Sequence, residues 1–549
     1  MFLRRLFTFA LIGLLSVMLV WLAACALGSG GWSAGKILFL LCVLGTAPWA
    51  GLCAANALIG FAILLAARDP AGFVFGVDDP PLPMVPPRTA IAVTVRNEDM
   101  AEVVPPLRRL LDGLDASGHG VAFGLFILSD TQEPAAARLE EAAVEKFRAA
   151  DPDPARIRYR RRAENTGFKA GNVMDFLDHH ADGFEFFLAL DADSEMSEDA
   201  VLRMLRAMAA EPRLAIVQHL VTGRPTTAAL PRLFQFGMRA GMRVWATGQG
   251  WWQGDAGPYW GHNALLRVAP FREVCRLPKL PDGSEILSHD QVEAALLAGA
   301  GWKVRVLPAE AGSSEDNPPA LPEFLRRDAR WLAGNLQYFY LLAMPGFSLL
   351  GRWQLAQAIL LFAGAPLYMA MFLLAAILAA LGESVAAGPA SVVILAWLGA
   401  LYLPKLLGYV EVLVKPEEWR RYGGANRFLA GVLAEFFFIL LLDAIGAVSK
   451  TFAIQRLLLG TRADWTPQNR ADRGVSWWEA TRMLWPHSLF GAMCFLGFSY
   501  GGWAVILWAM PLAGGLLVAI PLCVFTADPR LGTWLQQRGI ASIPEELGR

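Results

Sequence analysis

Two long apolar segments open the chain and predict a pair of membrane-spanning helices. The first runs from Leu6 to Gly28 and the second from Ile37 to Ala67, and each provides the roughly 20 apolar residues that cross a bilayer. Arg4 and Arg5 precede the first segment, which places the N-terminus in the cytosol by the positive-inside rule. A basic start before an apolar run also fits a signal peptide, which is the competing interpretation.

After these segments the pattern changes to short strands that alternate with helices. Residues 69 to 88 carry many prolines and predict an extended linker. Short β-rich runs at Ala90–Val95, Val121–Leu128 and Phe186–Leu190 then alternate with helical patterns, one of which Ser197 can cap. Such alternation predicts a mostly parallel sheet whose ligands bind at the carboxyl ends of the strands.

The second half of the chain returns to long apolar segments. Gln354–Leu381 and Ser391–Val414 predict one membrane hairpin, and Leu489–Met510 with Pro511–Phe525 predict another. Basic residues follow each hairpin, so the loop after the first and the tail after the second are expected in the cytosol.

The segment Phe428–Val448 is ambiguous, because it is just long enough to cross a bilayer but contains Glu435 and Asp443. Acidic side chains are costly in lipid, and basic loops flank the segment on both sides. We therefore expect an in-plane or re-entrant helix here. The expected number of spans is six, or eight if residues 428–460 form a hairpin.

Charged residues concentrate between the two membrane regions, which predicts one soluble domain inserted between them. The predicted parts are an N-terminal transmembrane hairpin (1–68), the linker (69–88), a cytosolic α/β domain (89–345), a transmembrane hairpin (346–427), an interfacial helix with a cytosolic loop (428–487) and a C-terminal transmembrane hairpin with its tail (488–549).

The composition agrees with a membrane protein and excludes other classes. The chain is 55% hydrophobic and only 18% charged, whereas soluble domains average about 25% charged residues. Its net charge of -1 argues against a nucleic-acid-binding protein, which is expected to be clearly basic. Five of the six cysteines lie in apolar stretches and none forms a CxxC pair, which argues against a disulfide framework or a zinc site.

Two carboxylates spaced by one residue follow the third β-rich run. Asp191 and Asp193 come directly after Phe186–Leu190 and point the same way, so they concentrate negative charge. A divalent cation, Mg²⁺ or Mn²⁺, held by these carboxylates and by substrate phosphates would relieve their repulsion. The alternative is a solvated turn before a helix, because such a pair is common by chance.

Other charged residues favour the functional interpretation of this pair. Asp130 ends an earlier predicted strand, and Asp290 stands just before a helical pattern. Arg327 and Arg330 are three residues apart and share one helix face, where two guanidinium groups suit a diphosphate. Trp331, next to them, offers a flat apolar face to a sugar ring.

The order of these motifs resembles that of the processive family 2 glycosyltransferases, which carry an Asp, a DxD pair, a third acid and [Q/R]xxRW. Longer strings resemble the glucans biosynthesis glucosyltransferase H family, which makes the backbone of osmoregulated periplasmic glucans in Gram-negative bacteria. These strings include RRRAENTGFKAGN, YWGHNALLR, ILSHDQVEAALL, RRDARW and the segment Trp465–Arg470. The resemblance implies an α/β catalytic domain of the GT-A type, mostly parallel in its sheet and inserted between transmembrane helices of the inner membrane.

The resemblance also implies a substrate and a role for each motif. The donor would be UDP-glucose, and the acceptor a growing β-glucan with β-1,2 linkages. The residues implied to line the uridine pocket are Thr94, Glu98 and Asp130. Asp191 would contact the nucleotide and share the metal with Asp193. The residues implied to neutralise the leaving UDP are Lys169, Arg327 and Arg330. Asp290 would be the general base of a single, inverting displacement.

Several aromatic and histidine residues have weaker interpretations. Trp331, Trp260 and His262 are candidates for contact with the acceptor, although His262 could instead hold a turn. His289 is expected to make a structural hydrogen bond, with proton transfer as the alternative. Trp251 and Trp252 are expected to pack in a core, with a sugar path as the alternative. Arg160–Arg162 are expected to form a solvated face, with phosphate contact as the alternative. Glu315 is a candidate substrate contact in a loop. Expected partners are the bilayer and, by family association, an acyl carrier protein and periplasmic glucan-modifying proteins.

Two rival functions remain at this point. One is a family 2 transferase that adds a single sugar to a lipid-phosphate acceptor, and the other is a transporter whose soluble domain only senses nucleotide. The [Q/R]xxRW motif and the apolar segments after the soluble domain favour the processive synthase, for which coupled export of the product is a further expectation.

Overall fold

The computed structural model describes residues 1–76, 81–383, 385, 387–461 and 472–548. The strands in these ranges are β1 (Thr89–Val95), β2 (Phe123–Ser129), β3 (Ile157–Arg161), β4 (Phe186–Asp191), β5 (Glu195–Met196), β6 (Leu214–His219), β7 (Thr222–Gly223), β8 (Ala264–Arg267), β9 (Lys303–Leu307) and β10 (Ser313–Glu315). The helices are α1 (Phe2–Gly28), α2 (Ala34–Ala66), α3 (Pro70–Phe75), α4 (Met100–Ala116), α5 (Pro134–Ala149), α6 (Phe168–His179), α7 (Glu198–Ala210), α8 (Ala229–Gln253), α9 (Val268–Val274), α10 (Asp290–Gly299), α11 (Leu321–Leu336), α12 (Tyr338–Leu341), α13 (Leu349–Ala363), α14 (Ala365–Ala380), α15 (Ala387–Val414), α16 (Pro416–Arg421), α17 (Ala425–Leu458), α18 (Trp477–Ser499), α19 (Trp503–Leu517), α20 (Ala519–Thr526) and α21 (Pro529–Gln537).

A seven-stranded sheet forms the centre of the soluble domain, with strand order β3-β2-β1-β4-β8-β6-β9. β8 is antiparallel to both of its neighbours, and the other pairs are parallel. The predicted strands are confirmed to within two residues at their ends, and Ser197 caps α7 by accepting a hydrogen bond from the backbone of Ala200. This is the mostly parallel arrangement expected of a GT-A-type domain.

The register of the sheet brings the ends of three strands together. β1 lies between β2 and β4 and pairs with both in parallel, so that Thr94 is opposite Asp191. A second sheet of three strands, in the order β5-β10-β7, lies beyond the carboxyl end of β4. It joins Glu195, which follows the DxD pair, to Ser314 of β10. The acidic residues are therefore placed where a parallel sheet binds its ligands.

Two differences from the sequence analysis concern segment boundaries. Residues 70 to 75 of the predicted linker form the short helix α3, which begins at Pro70 because Asp69 caps it. The last predicted hairpin turns at Tyr500–Gly502 and not between Met510 and Pro511. Gly502 has a φ of 83°, which favours glycine, whereas Pro511 lies within α19.

Five helices among the described residues are long and apolar enough to cross a membrane, and a sixth span results if the bent pair α19 and α20 is counted as one. The five are Phe2–Gly28, Ala34–Ala66, Leu349–Ala380, Gly388–Val414 and Ala425–Leu458. The total equals the expected six, but it includes α17, which was predicted to lie in the membrane plane, and omits α18.

The acids of α17 find their partners inside the protein. This 34-residue helix is much longer than the segment predicted from residues 428–448. Glu435 is fully buried and pairs with Lys405 and Tyr409 of α15. Asp443 accepts a hydrogen bond of 2.6 Å from Tyr402, which also lies on α15. These contacts offset the cost that acids incur in an apolar setting.

Both ends of α17 contact helices of the soluble domain. Near its start, the ring of Phe428 lies 5.4 Å from that of Phe236 on α8. Near its end, Nζ of Lys450 lies 3.0 Å from a carboxylate oxygen of Asp328 on α11. α17 is therefore fixed to the soluble domain near both of its ends, while its orientation in the bilayer stays a prediction.

Candidate active site

Asp191 ends β4 and is bound from two sides. Oγ1 of Thr94, on the neighbouring strand, donates a hydrogen bond of 3.2 Å to its Oδ1. Nζ of Lys169 forms an ion pair with the same oxygen. Lys169 reaches this position because α6 begins at Phe168, directly after Gly167, whose φ of 70° makes a turn that favours glycine. Three predicted site residues are thus in direct contact.

The DxD turn is closed by local hydrogen bonds. The backbone N–H of Asp191 donates to Oγ of Ser194 at 3.0 Å, and the N–H of Ser194 donates to the carbonyl of Asp191 at 3.1 Å. This turn leaves the side chain of Asp193 partly exposed. The two carboxylates therefore lie on a turn that is fixed by hydrogen bonds at the carboxyl end of β4, and not simply on a solvated connection.

Asp130 follows β2 and is buried against a cation that the sequence analysis assigned to a solvated face. Nε and one terminal nitrogen of Arg162 each donate to a different carboxylate oxygen of Asp130, both at 2.8 Å. The same guanidinium donates to the carbonyl oxygens of Thr166 and Phe168. The solvated-face prediction is therefore wrong for Arg162, since a bidentate partner offsets the cost of its burial. Arg161 is the exposed member of the three.

Asp290 begins α10 and faces Lys169 across Gly261. A Cβ built on Gly261 would lie 3.5 Å from Cβ of Asp290 and 3.7 Å from Nζ of Lys169. Burial raises the pKa of Asp290, and the nearby His289 only partly opposes this. A carboxylate with a raised pKa beside a lysine that already pairs with Asp191 is suited to accept a proton.

The loop before Asp290 is held by the helices that follow [Q/R]xxRW. The hydroxyl of Tyr338 donates to the carbonyl of Ser288 at 2.7 Å. The side chain of Gln337 accepts from the N–H of Leu287 at 2.8 Å. Nδ1 of His289 lies 3.0 Å from a carboxylate oxygen of Glu293, which is an ion-pair contact at the start of α10. Sequence reasoning missed Gln337 and Tyr338, whose role depends on long-range contact.

The two arginines of [Q/R]xxRW lie on α11 in different environments. Arg327 is 8% exposed and its guanidinium lies 4.6 Å from the ring centre of Trp331. Burial lowers the pKa of Arg327, while Glu315, Asp328 and Asp193 oppose that shift. Arg330 is half-buried, and Trp331 is 46% exposed. Trp331 therefore presents aromatic surface beside a guanidinium.

His262 and Glu315 connect the two sides of the site. Nε2 of His262 lies 3.2 Å from a carboxylate oxygen of Glu315. Burial raises the pKa of Glu315, and Asp193 adds to the shift whereas His262 and Arg327 oppose it. Glu315 therefore lies in the electrostatic field of both the DxD turn and α11.

Two tryptophans near the site have different settings. The backbone N–H of Trp260 donates to the side-chain oxygen of Gln218 at 2.8 Å. Trp252 is buried in a core, as expected.

The donor set at the DxD turn fits a cation that is shared with a substrate. Among the described residues, no group of three or more His, Cys, Asp or Glu side chains could hold a metal ion by itself. Mg²⁺ characteristically takes one or two protein carboxylates and completes its shell with water and phosphate oxygens. Asp191 and Asp193 are two such carboxylates, and Lys169, Arg327 and Arg330 would accompany the phosphates.

Several predicted site residues lie together in this region. Thr94, Lys169, Asp191 and Asp290 are connected by contacts, and the charges of Asp193 and Arg327 both lie near enough to Glu315 to affect its pKa. Glu98 is half-buried in the loop after β1, next to the strand end that carries Asp130. Residues Trp465–Arg470 of the resemblance lie outside the described residues.

Comparison with known proteins identifies the family. The model described as glycosyl transferase family group 2 matches residues 186–405. Glucans biosynthesis glucosyltransferase H of Bradyrhizobium diazoefficiens is 34% identical over 522 residues, which cover 90% of this chain and 68% of the relative. The protein of the same name from Caulobacter vibrioides is 33% identical, covering 89% and 77%.

A third relative with this name, from Xanthomonas campestris pv. campestris, is 33% identical over 96% of this chain and 85% of its own length. Among solved structures, the mannosyltransferase PcManGT from Pyrobaculum calidifontis, in complex with GDP-Man and Mn²⁺, is 17% identical. It covers 66% of this chain and 99% of its own, with a TM-score of 0.41 that is too low to bear on the site. On the sequence relationships, this chain belongs to the glucans biosynthesis glucosyltransferase H family of family 2 glycosyltransferases.

Proposed function

We propose that this chain is an inverting inner-membrane glucosyltransferase that transfers glucose from UDP-glucose to a growing β-glucan. The product would be the β-1,2-linked backbone of osmoregulated periplasmic glucans, in keeping with the family. The observation that carries the proposal is the convergence of Asp191, Lys169 and Asp290 around Gly261. This convergence supports a cation-bound nucleotide site that lies close to a base of raised pKa.

The nucleotide would bind across the carboxyl ends of β1, β2 and β4. Thr94, Glu98 and Asp130 are the proposed uridine-pocket residues, and Arg162 fixes the carboxylate of Asp130. Asp191 would contact the nucleotide beside Lys169. This assignment is supported by the register that places Thr94 opposite Asp191.

The leaving diphosphate would be stabilised by fixed positive charge. Lys169 approaches it from α6, and Arg327 and Arg330 approach it from α11. Asp193, together with Asp191, would hold Mg²⁺ or Mn²⁺, which supplies further charge stabilisation to the diphosphate when it is bound. Preorganised charge of this kind is usually the largest single contribution to catalysis.

Asp290 would remove the proton from the acceptor hydroxyl as that oxygen attacks the sugar. In its deprotonated form Asp290 accepts this proton. The acceptor oxygen bonds to the anomeric carbon from the face opposite the diphosphate, the bond between that carbon and the diphosphate oxygen breaks, and UDP leaves, so the α-linked donor yields a β-linked product. Trp331, Trp260 and His262 would bound the acceptor's path, with the exposed ring of Trp331 offering a stacking surface.

The membrane helices would hold this site against the cytosolic face of the inner membrane. α17 is proposed to lie in the membrane plane, since both of its ends contact the catalytic domain. A cavity of about 600 Å³ lies among the membrane helices, and Lys450, which pairs with Asp328 of α11, is one of its lining residues. A product route through this cavity would begin beside the active site, which is in keeping with coupled export.

The test is product formation by the purified protein in nanodiscs with labelled UDP-glucose and Mg²⁺. Asp290→Asn should lower turnover about 10²–10⁴-fold, the range for loss of a general base, and should retain UDP binding. Glu273→Gln, an exposed acid of the same domain, is the control and should behave as wild type.

Two outcomes would contradict the proposal. A product of a single sugar on a lipid phosphate would favour the non-processive rival. Unchanged cellular function of the Asp290→Asn variant would favour a nucleotide-sensing transporter.

A further inference from the structure

The backbone around His262 is held by contacts that need neither its ring nor Glu315. The fully buried side chain of Gln218 donates to the carbonyl of His262 at 3.0 Å. The amide nitrogen of the fully buried Asn263 donates to Oγ of Ser313 at 2.9 Å and approaches the carbonyl of Ser314 at 3.3 Å. These bonds already tie the loop before β8 to β10. The His262–Glu315 pair is therefore additional to what the local fold requires.

Both side chains of the pair are partly exposed. The side chains of His262 and Glu315 retain 14% and 24% of their exposure, whereas Gln218 and Asn263 retain none. The neighbour of His262 in the chain, Gly261, is the residue that separates Asp290 from Lys169. The backbone of His262 is therefore one residue away from the proposed reaction centre.

Each ring nitrogen of His262 faces a hydrogen-bond acceptor. Nε2 lies 3.2 Å from the carboxylate of Glu315, and Nδ1 lies 3.2 Å from Oδ1 of Asn263. The side-chain oxygen of Asn263 is identified by its amide nitrogen, which is directed at the carbonyl of Ser314. A neutral imidazole can donate from only one nitrogen, whereas the imidazolium donates from both.

We infer that His262 is held as an imidazolium cation by Glu315 and Asn263, and that its charge helps to bind the diphosphate of the nucleotide. Because the proposed function places a diphosphate here, the inference deepens that function by adding a positive charge to those of Lys169, Arg327 and Arg330. Glu315 and Asn263 are positioning residues that act through His262.

The charges that face His262 from neighbouring elements are in keeping with this state. Burial by itself would lower the pKa of His262, but Glu315, Asp191 and Asp193 raise it more than Lys169 lowers it, and the net shift is upward. Glu315 is first among these causes after burial. Removing its charge should therefore let His262 lose its proton within the neutral range.

The test measures UDP binding in Mg²⁺ by calorimetry at several pH values from 6.0 to 8.5, using full-length protein in nanodiscs. Each affinity is divided by that of the wild type at the same pH, which cancels the titration of UDP and of groups common to all variants. The variants are His262→Gln, Glu315→Gln and the double substitution. The control is His179→Gln, a histidine whose side chain is 66% exposed and which pairs with Asp175 on α6.

For His262→Gln we expect a relative affinity that is lowered about tenfold at every pH, a loss of 1.4 kcal/mol by the standard conversion. For Glu315→Gln we expect relative affinity close to that of wild type at pH 6.0 and a decline of at least about fivefold by pH 8.5. The double variant should lose this slope, and His179→Gln should match wild type throughout.

Wild-type affinity in His262→Gln, or a flat relative affinity in Glu315→Gln, would overturn the inference. A slope that persists in the double variant would also overturn it, because the titrating group could not then be His262. Binding is measured without turnover, so absence of glucan synthesis in the wild type would contradict the proposed function alone.

Discussion

Asp130 and Asp290 are carboxylates of one site with different chemical surroundings. Asp130 receives two hydrogen bonds from Arg162, which hold its carboxylate in place. Asp290 has its pKa raised by burial, and Lys169, which faces it across Gly261, already pairs with Asp191. The first is suited to a fixed binding role, and the second, with its raised pKa, is suited to accepting a proton.

The pH dependence of turnover should follow from the raised pKa of Asp290. A base works only when deprotonated, so kcat/KM should fall as the pH is lowered through that pKa. The acid limb should lie above the value of about 3.9 that is usual for Asp. Rates measured from pH 4.5 to 8 would show it, with UDP binding over the same range as the control. A kcat/KM that stays constant down to pH 4.5 would argue against Asp290 as the base.

The bidentate pair should also govern the stability of the catalytic domain. Arg162→Met leaves the carboxylate of Asp130, whose side chain is 6% exposed, without its cation. Breaking such a buried pair costs about 3–5 kcal/mol, so the thermal midpoint should fall clearly. Arg161→Met is the matched control, since its partner Glu141 is 3.5 Å away and both are well exposed. It should change stability by less than about 1 kcal/mol.

A double substitution separates loss of the pair from loss of packing. Arg162→Met combined with Asp130→Asn should recover a large part of the lost stability, because no unpaired charge remains. If the double variant were as unstable as Arg162→Met, the packing of the Arg162 side chain and not its charge would explain the effect.

Among the elements, α11 and α12 support both the arginines proposed to bind the donor and the proposed base. α11 carries Arg327 and Arg330, and the turn into α12 holds the loop that precedes Asp290. α11 is in turn fixed to the segment before α18, because Arg473 bonds to the buried Glu323 at 2.9 Å. The arginines proposed to meet the diphosphate and the acid proposed as the base therefore share one support.

Tyr338→Phe tests this shared support. It removes one hydrogen bond, to the carbonyl of Ser288, and leaves the buried ring in place. A bond of this kind contributes about 1 kcal/mol, so kcat should fall about fivefold while the KM for UDP-glucose stays the same. Tyr340→Phe, on the same short helix and 67% exposed, should have no effect. An equal fall in both variants would refute a specific role for Tyr338.

In the whole molecule, both chain ends are fixed to α8 of the catalytic domain. Nε and a terminal nitrogen of Arg5 donate to the carbonyls of Trp252 and Gln253 at the C-terminus of α8. From the other end, Arg232 of α8 donates to the carbonyl of Ile540 at 2.9 Å. Lysine and arginine near a helix C-terminus satisfy its last carbonyls. Both ends should consequently lie on the same side of the membrane as the active site.

Protease protection in membrane vesicles would test this topology. Tags at either end should be digested in inside-out vesicles together with the catalytic domain, and should be protected in right-side-out vesicles. A tag at Ser29–Gly31, between α1 and α2, is the control and should show the opposite pattern. Protection of the two ends in different vesicle types would contradict the arrangement.

Much of the fold could be predicted because it depends on patterns local to the sequence. Apolar runs such as Leu6–Gly28 and strand signals such as Phe186–Leu190 specify their elements through burial of neighbouring residues. The boundaries of the elements were predicted less well. For α17, Glu435 and Asp443 led to a predicted segment of residues 428–448, which is much shorter than the 34-residue helix. Glu435 is acceptable within that helix because α15 supplies Lys405, a partner that no local pattern reveals.

The sequence by itself determined the order of strands along the chain, the DxD pair, the acid proposed as the base and the arginine–tryptophan motif, since each depends on residues close together in the chain. Only the tertiary structure decided which charges pair. Arg162 reaches Asp130 across 32 positions, and Lys169 reaches Asp191 across 22. Glu315 meets His262 through the pairing of β10 with its neighbours. A side chain's partner depends on sheet order and loop path, and these are set by packing of the whole domain.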